Sequence, residues 1–252
     1  MRETAMTRVR APIRRVVVVV PVHDEERELP GALDALAAAS AEAGVPVDVT
    51  VVLDACSDGS HAVPGPGVRV VTVDLRTVGG ARRAGFAGQP TDGDVWFATT
   101  DADSRVPLDW LRRQVDLANA GADVVAGTVV ARDWEGWRSD AGQVFDAEYR
   151  VQRHPGGHGH VHGANLGVRA SAYAAIGGFP QVAHDEDVHV VDALLAAGHT
   201  VCWGTETPVA TSTRRHGRAP AGFADALVDL MDPPEDARPA APGVTPQIAG
   251  SS

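Results

Sequence analysis

The residues Trp96-Phe97-Ala98-Thr99-Thr100-Asp101-Ala102-Asp103 form an apolar run that passes directly into two carboxylates spaced one residue apart. The run is typical of a buried strand, and Asp101 and Asp103 offer the hard oxygen ligands that Mg²⁺ and Mn²⁺ prefer. The same pattern is also common where a strand ends in a turn and a helix cap. The pair therefore indicates a metal site only if the rest of the chain agrees with it.

Strands and helices alternate through the first half of the chain. The predicted strands are 16–20, 47–53, 68–73 and 94–98, and the predicted helices are 28–43, 80–88 and 108–120. Continuous apolar strands of this kind predict an α/β fold with a mostly parallel sheet flanked by helices on both faces. Ligands bind beyond the carboxyl ends of the strands in such sheets, so residues 21–25, 54–58 and 101–103 are expected to share one pocket.

The second half of the chain is less regular. Its predicted strands are 123–131, 161–168, 200–203 and 208–213, and its predicted helices are 142–152, 170–176 and 187–197. We interpret residues 14–231 as a single folded domain. Residues 1–13 are expected to be a disordered leader and residues 232–252 a disordered tail rich in Pro, Ala and Gly.

Composition narrows the class of protein. The formal charge of −11 disfavours nucleic acid as a partner, and the two cysteines form no CxxC pair, which favours a cytoplasmic location. The longest aliphatic run, at 16–20, is interrupted by Pro21 and is too short to span a bilayer. We therefore predict no transmembrane segment, while peripheral membrane contact and the oligomeric state are left open.

Five segments, taken in order, resemble family 2 glycosyltransferases of the GT-A fold. Residues 16–26 resemble the first strand and its Pro-x-x-(Asn/Asp)-Glu turn, and residues 51–60 resemble the second-strand motif VVDDGSTDGT. Residues 79–85 resemble the Gly-Ala-Arg-x-x-Gly segment, and Asp101-Ala102-Asp103 resembles the metal motif. The fifth segment, His184-Asp185-Glu186-Asp187 with the helix behind it, resembles the Glu-Asp helix.

The resemblance implies a metal-dependent inverting glycosyltransferase of hexosyltransferase type. Such an enzyme moves a sugar from a nucleotide-diphosphate donor to a hydroxyl-type acceptor, either a small molecule or a glycan, with Mn²⁺ or Mg²⁺ as cofactor. On this basis residues 14–103 are expected to bind the nucleotide-sugar and residues 104–231 to form the acceptor half.

The resemblance also assigns donor-side residues. The expected nucleotide-sugar-binding residues are Pro21, His23, Glu25, Asp54, Arg82 and Asp101. Arg82 opens a predicted helix after two glycines, where backbone N–H groups and a guanidinium suit a diphosphate. The expected metal ligands are Asp103, Asp101 and His216. Leu53 stands where the family often has an acidic residue, so the sequence does not identify the base of the nucleotide.

On the acceptor side, Asp187 is the expected general base and Glu186 the next candidate. His162, Gly163 and Asn165 match the family's Gly-x-Asn segment near the acceptor. His158, His160 and His162 alternate and would share one face of an extended segment. They suit a polar wall of the acceptor pocket better than a zinc site, because no further ligand set accompanies them.

Two alternatives remain at this point. A sugar-1-phosphate nucleotidylyltransferase shares this kind of sheet. Enzymes of that class have a Gly-rich loop with an arginine directly after the first strand, where this chain has Pro-Val-His-Asp-Glu-Glu. A non-catalytic nucleotide-sugar-binding subunit would agree with the altered second-strand motif. The sequence leaves the sugar and the acceptor open.

Overall fold

The computed structural model describes residues 10–151, 158–217 and 222–232. The strands are β1 (Arg15–Val22), β2 (Val47–Asp54), β3 (Val68–Val73), β4 (Val95–Thr99), β5 (Ser104–Arg105), β6 (Val124–Arg132), β7 (Leu166–Arg169) and β8 (Val201–Ser212). The helices are α1 (Leu29–Ala41), α2 (Val78–Phe86), α3 (Trp110–Asn119), α4 (Ala141–Val151), α5 (Ala170–Ala175), α6 (Glu186–Ala196) and α7 (Phe223–Met231). Two short 3₁₀ helices cover Gly59–Ala62 and Gly163–Asn165.

All the described strands belong to one sheet with the order β3-β2-β1-β4-β7-β6-β8-β5. β3, β2, β1 and β4 run parallel, β7 is antiparallel to both β4 and β6, and β8 is parallel to β6. The chain moves outward from β1 through β2 to β3 and then returns to β4 on the other side of β1. This reversal opens a crevice at the carboxyl ends of β1 and β4, where ligands bind in sheets of this type.

The sheet separates two apolar cores. Val16, Val18 and Val20 of β1 pack with the core that contains Trp96 and Trp110, whereas Val17 and Val19 pack with the opposite core. Successive side chains of a strand point to opposite faces, so the unbroken valine run supplies both cores. The predicted α/β fold with helices on both faces is confirmed.

Some predicted elements differ from the structure. The strand predicted at 161–168 begins only at Leu166, because the N–H of Asn165 donates to the carbonyl of His162 (2.9 Å) and closes a 3₁₀ turn. The strands predicted at 200–203 and 208–213 are one long strand, β8, whose pairing with β6 shifts register between Gly127 and Val129. β5 and α7 were not predicted.

The beginning of the described chain lies against the domain. Ile13 is buried, and its N–H donates to Oδ1 of Asn119 (2.8 Å), although the sequence places this residue in the leader. Residues 1–9 and 233–252 lie outside the described residues. Cys56 and Cys202 are both free. Among the described helices none has the length and apolar character needed to cross a membrane.

Candidate active site

A cavity of about 570 Å³ opens at the carboxyl ends of the parallel strands. It contains every predicted site residue except Asn165 and His216, namely Pro21, His23, Glu25, Asp54, Arg82, Asp101, Asp103, His162, Gly163, Glu186 and Asp187. These residues come from distant parts of the sequence. The structure therefore brings the donor-side, metal and acceptor-side candidates into one space.

Asp54, at the end of β2, holds the loop that precedes α2. Its Oδ1 accepts N–H groups from Leu75 (2.6 Å) and Arg76 (2.9 Å), and its Oδ2 accepts the N–H of Thr77 (3.2 Å). The ring of His23 is fixed on the carbonyl of Asp54 through Nδ1 (2.7 Å). Both residues line the cavity, and both also fix the backbone of its wall.

Arg82, in α2, joins two of the predicted site residues, Asp101 after β4 and Glu186 at the start of α6. Its Nη2 donates to Oδ1 of Asp101 (2.6 Å), its Nη1 donates to Oε1 of Glu186, and its Nε donates to Oγ1 of Thr99 (3.1 Å). Burial disfavours the guanidinium charge, but Asp101 and Glu186 outweigh it and raise the pKa of Arg82. The guanidinium donors that the resemblance assigns to a diphosphate are thus engaged by carboxylates in the structure.

Gly163 makes the position of Arg82 possible. A Cβ at residue 163 would overlap the guanidinium of Arg82, so no larger residue fits there without displacing it. The close approach explains why the 3₁₀ turn that follows His162 begins with a glycine.

Asp103 lies deeper in the cavity than Asp101. The exposed fraction of its side chain is 13%, against 36% for Asp101. Its Oδ2 lies 3.1 Å from Nη2 of Arg214, and Nη1 of Arg214 lies 2.5 Å from Oε1 of the buried Glu25. Burial raises the pKa of Asp103, and Arg214 only partly offsets this effect.

Asp187 stands in the first turn of α6, next to Glu186. Its Oδ2 accepts the N–H of Gly163 (2.6 Å), and its Oδ1 accepts the N–H of Val188 (2.8 Å). Burial raises the pKa of Asp187 although Arg82 nearby lowers it. A carboxylate that is fixed in place and has a raised pKa suits proton transfer.

Of the three histidines, only His162 lines the cavity; His158 and His160 are buried and do not line it, so the predicted wall of three histidines is reduced to one. Nε2 of His158 contacts the carbonyl of Ala126 (3.1 Å), and its Nδ1 accepts the N–H of His160 (3.0 Å). His160 stacks on Tyr149 with 3.8 Å between ring centroids, and Nε2 of His162 contacts Oη of Tyr149 (2.9 Å). Protein groups already engage both ring nitrogens of His158, which disfavours a zinc site at the three histidines.

Asn165 and His216 do not line the cavity. The amide of Asn165 is buried and accepts from Nε1 of Trp110 (2.7 Å) while donating to the carbonyls of Thr128 and Thr207 (both 2.9 Å). Asn165 therefore joins β6 and β8 rather than facing a ligand. His216 is exposed, and the cation beside Asp103 is Arg214.

Sequence reasoning missed Tyr149 and Phe223. Tyr149 comes from α4 and orders His162, whereas Phe223 begins α7 and lines the cavity. Both lie in amphipathic helices, and such a pattern indicates only that one face is buried. Nothing in their spacing marks them as site residues.

The wall of the cavity is acidic. Seven carboxylates and three arginines line it, so the wall carries an excess of four negative formal charges and would repel a diphosphate on its own. Asp101 and Asp103 each pair with an arginine through one oxygen, and the second oxygen of Asp103 accepts only a long hydrogen bond from Oγ of Ser104 (3.4 Å), which a hard cation could replace. These two residues fit Mn²⁺ or Mg²⁺.

One other group of metal-type ligands occurs among the described residues, formed by Asp24, Cys56 and Asp58. The oxygens of Asp24 accept the N–H of Ser57 (2.6 Å), the N–H of Asp58 (3.1 Å) and Oγ of Ser57 (3.0 Å). This group lies outside the cavity lining, and its hydrogen bonds shape the loop after β2.

The sheet order and the acidic crevice together define a GT-A type of nucleotide-diphospho-sugar fold. Residues 17–177 match the model of glycosyl transferase family 2, and the chain belongs to this family.

Curated relatives carry the name undecaprenyl-phosphate 4-deoxy-4-formamido-L-arabinose transferase. The protein from Serratia proteamaculans is 35% identical over 142 residues, which are 54% of this chain and 43% of that protein. The protein from Aeromonas hydrophila is 30% identical over 189 residues, which are 73% of this chain and 52% of that protein. The chain thus spans about half the length of the relatives it matches.

Solved structures support the fold. A mannosyltransferase from Pyrobaculum calidifontis, in complex with GDP-Man and Mn²⁺, gives a TM-score of 0.64 at 20% identity, covering 83% of this chain and 61% of that one. Residues 1–349 of S. aureus TarS in complex with UDP give a TM-score of 0.55 at 13% identity, covering 80% of this chain and 61% of that one. At these identities the likeness concerns the fold alone.

Proposed function

We propose that this protein is a metal-dependent inverting glycosyltransferase that moves a sugar from a nucleotide-diphosphate donor to a hydroxyl group. The observation that carries the proposal is the bridge Asp101–Arg82–Glu186, which joins the metal motif to the acidic start of α6 inside one cavity. Donor-side and base-side groups are thus held in a fixed relation by one buried guanidinium.

The donor would enter at the carboxyl ends of β1 and β2. Pro21, Glu25 and Asp54 line this part of the cavity, and Asp101 and Asp103 would hold Mn²⁺ or Mg²⁺ through their second oxygens. When bound, a divalent cation supplies charge neutralisation for a departing diphosphate. Arg82 fixes the carboxylate of Asp101. Asp101, which would face the diphosphate, therefore keeps one orientation.

Asp187 would accept the proton of the acceptor hydroxyl as that oxygen attacks the anomeric carbon. The N–H groups of Gly163 and Val188 fix its carboxylate, and the neighbouring Glu186 is occupied by Arg82. Asp187 is therefore the better base of the two. A single displacement with this base inverts the anomeric configuration, which NMR of the product would report.

Exchange of the base provides the principal test. We expect Asp187→Asn to bind nucleotide-sugar and Mn²⁺ as the wild type does, and to transfer sugar about 10² to 10⁴ times more slowly. Asp192→Asn, on the exposed side of the same helix, is the matched control and should retain full turnover. Normal turnover in Asp187→Asn would remove this residue from the role and make Glu186 the next variant to assay.

The relatives' printed names specify an undecaprenyl-phosphate acceptor, so a phosphate acceptor is the rival proposal. In the described part of the cavity wall, Arg82 pairs with Asp101 and Glu186 and Arg214 pairs with Glu25 and Asp103, so a phosphate acceptor would have to displace a carboxylate to gain either buried guanidinium. His162 is neutral, because burial lowers its pKa to about 3. These features favour an uncharged hydroxyl.

Acceptor competition would separate the two proposals. The donor that binds is incubated with Mn²⁺ and either a polyprenyl phosphate or a panel of glycans and simple alcohols. Transfer to the polyprenyl phosphate alone would refute the hydroxyl proposal. Hydrolysis of the donor without acceptor would separate an enzyme from a non-catalytic binding subunit, and release of the sugar 1-phosphate would indicate the nucleotidylyltransferase alternative.

A further inference from the structure

Arg214 connects two carboxylates that belong to different parts of the proposed donor site. It follows β8, whereas Glu25 follows β1 and Asp103 follows β4. Its Nη1 lies 2.5 Å from Oε1 of Glu25, and its Nη2 lies 3.1 Å from Oδ2 of Asp103. A single guanidinium therefore spans from the nucleotide end of the cavity to the metal motif.

This contact places a cation against a carboxylate that fits a metal. A guanidinium and a divalent cation on the same carboxylate repel each other strongly, because both are positive and the site is partly buried. Coordination of a divalent cation by both carboxylate oxygens of Asp103 therefore competes with the ion pair between Asp103 and Arg214. The pair with Glu25 is independent of Asp103, so Arg214 retains one anchor inside the cavity when the other is lost.

We propose that Arg214 is a displaceable counter-ion: it holds Asp103 until metal and donor arrive, and then turns to the phosphates of the donor while Glu25 keeps it in place. The inference rests on the proposed function, since it takes Asp101 and Asp103 as the metal site. Its consequence is that Arg214 weakens the binding of metal alone and strengthens the binding of nucleotide diphosphate in the presence of metal.

The test measures these two affinities in opposite directions. Calorimetry with Mn²⁺ alone is expected to show tighter binding by about tenfold in Arg214→Met, because the competing charge is gone. With Mn²⁺ saturating, UDP and GDP are titrated separately, and the one that binds the wild type should bind Arg214→Met about tenfold more weakly, because a charge-assisted contact to phosphate is lost.

The neighbouring arginine supplies the control. Arg215 is exposed, lies over the ring of Trp137 at 4.4 Å and pairs with Asp232. Arg215→Met should change neither affinity. Arg214→Lys keeps the positive charge but lacks the guanidinium fork, so it should lie between wild type and Arg214→Met in both titrations. Thermal unfolding of each variant verifies that it is folded.

Two results would overturn the inference. If Mn²⁺ alone binds Arg214→Met no more tightly than wild type, Arg214 does not compete for Asp103. If the diphosphate affinity is unchanged in that variant, Arg214 does not turn to the donor. Failure of the wild type to bind UDP or GDP with Mn²⁺ would instead count against the proposed function, while the Mn²⁺ titration would still decide the competition.

Discussion

At the scale of the residue, carboxylates of one cavity differ because their neighbours differ. Asp54 accepts three backbone N–H groups of the loop after β3. Burial disfavours the charged form of Asp103 and raises its pKa. Asp187 is also buried, and in addition it accepts two backbone N–H groups that fix its carboxylate. Residue type and spacing identify all three as candidates. Their roles depend on groups from distant parts of the chain, which is why the sequence alone does not separate them.

The raised pKa of Asp187 leads to a pH prediction. A general base must be deprotonated, so kcat/KM should fall as the pH drops through the pKa of Asp187. Burial raises this pKa, so the acid limb should lie above the value of about 3.9 that is usual for Asp. A pH–rate profile with saturating Mn²⁺ measures the limb. Its persistence unchanged in Asp187→Asn would show that another group titrates.

His162 should remain neutral over the whole physiological range. Burial among His160 and His158 lowers its pKa to about 3. The N–H of Val129 donates to Oη of Tyr149 (3.1 Å), which directs the phenol proton at Nε2 of His162 (2.9 Å) and leaves the imidazole proton on Nδ1. Imidazole ¹⁵N shifts of the labelled protein should show an unprotonated Nε2 from pH 8 down to about 4. Titration of this ring near pH 6.5 would contradict the assignment.

At the scale of the element, the sequence predicts best where one element suffices. The valine run of β1 and the parallel strands beside it follow from local pattern, as does the meeting of their carboxyl ends. The 3₁₀ turn at 163–165 does not follow from local pattern. Asp187 accepts the N–H of Gly163, and the guanidinium of Arg82 lies so close to residue 163 that only a glycine fits there. Likewise α7 packs on α4 in a small aromatic core. That contact joins segments about eighty residues apart, which no local pattern reveals.

The loops around the cavity hold strained backbone. Five non-glycine residues of the described chain have positive φ angles, and four of them, Asp24, Ala55, Arg76 and Asp185, lie in or beside the segments that line the cavity. Left-handed φ angles cost free energy in residues with a Cβ and concentrate at functional sites. The loop after β2 therefore gives up stability to hold Asp54 and the turn that follows it.

Ala55→Gly should relieve this strain. The φ of Ala55 is 52°. A left-handed conformation costs a residue with a Cβ about 1–2 kcal/mol, and glycine avoids this cost. The greater freedom of glycine in the unfolded chain opposes the gain by about 0.5–1 kcal/mol. The net gain in unfolding free energy is expected to be about 0.5–1 kcal/mol, or roughly 1–3 °C in Tm. Ala87, with a φ of −61°, is the control. Ala87→Gly should destabilise, and equal losses in both variants would argue against strain at residue 55.

At the scale of the whole molecule, the candidate active site and a buried network of ion pairs lie at opposite ends of the parallel strands. The cavity lies at the carboxyl ends of β1 and β4, whereas Asp123 precedes β6 at the other edge. Asp123 accepts Nε of Arg10 (2.7 Å) and the N–H of Thr200 (3.0 Å), and Arg169 at the end of β7 lies 3.8 Å away. This network joins the segment before β1 to the junction between the parallel and antiparallel strands.

Asp123→Asn should therefore lower stability without changing the donor site. Breaking a buried ion pair on one side leaves a charge without its partner, and we expect a loss of about 3 kcal/mol in unfolding free energy at pH 7. Denaturant unfolding measures this loss. Calorimetry with Mn²⁺ and nucleotide diphosphate should show unchanged affinity. Asp116→Asn, at an exposed position on α3, is the control and should be nearly neutral.

The same pair sets the response of the fold to acid. Burial disfavours the charge of Asp123, but the hydrogen bonds from Arg10 and Thr200 outweigh it and lower the pKa of Asp123 in the folded protein. Between the folded and unfolded pKa values the unfolded state binds more protons, so this contribution is complete above about pH 4 and is lost as the pH falls through the folded-state value. The stability difference between wild type and Asp123→Asn should accordingly shrink below pH 4. A difference that stays constant from pH 7 to pH 3 would mean that packing, and not the charge of Asp123, holds the two parts of the sheet together.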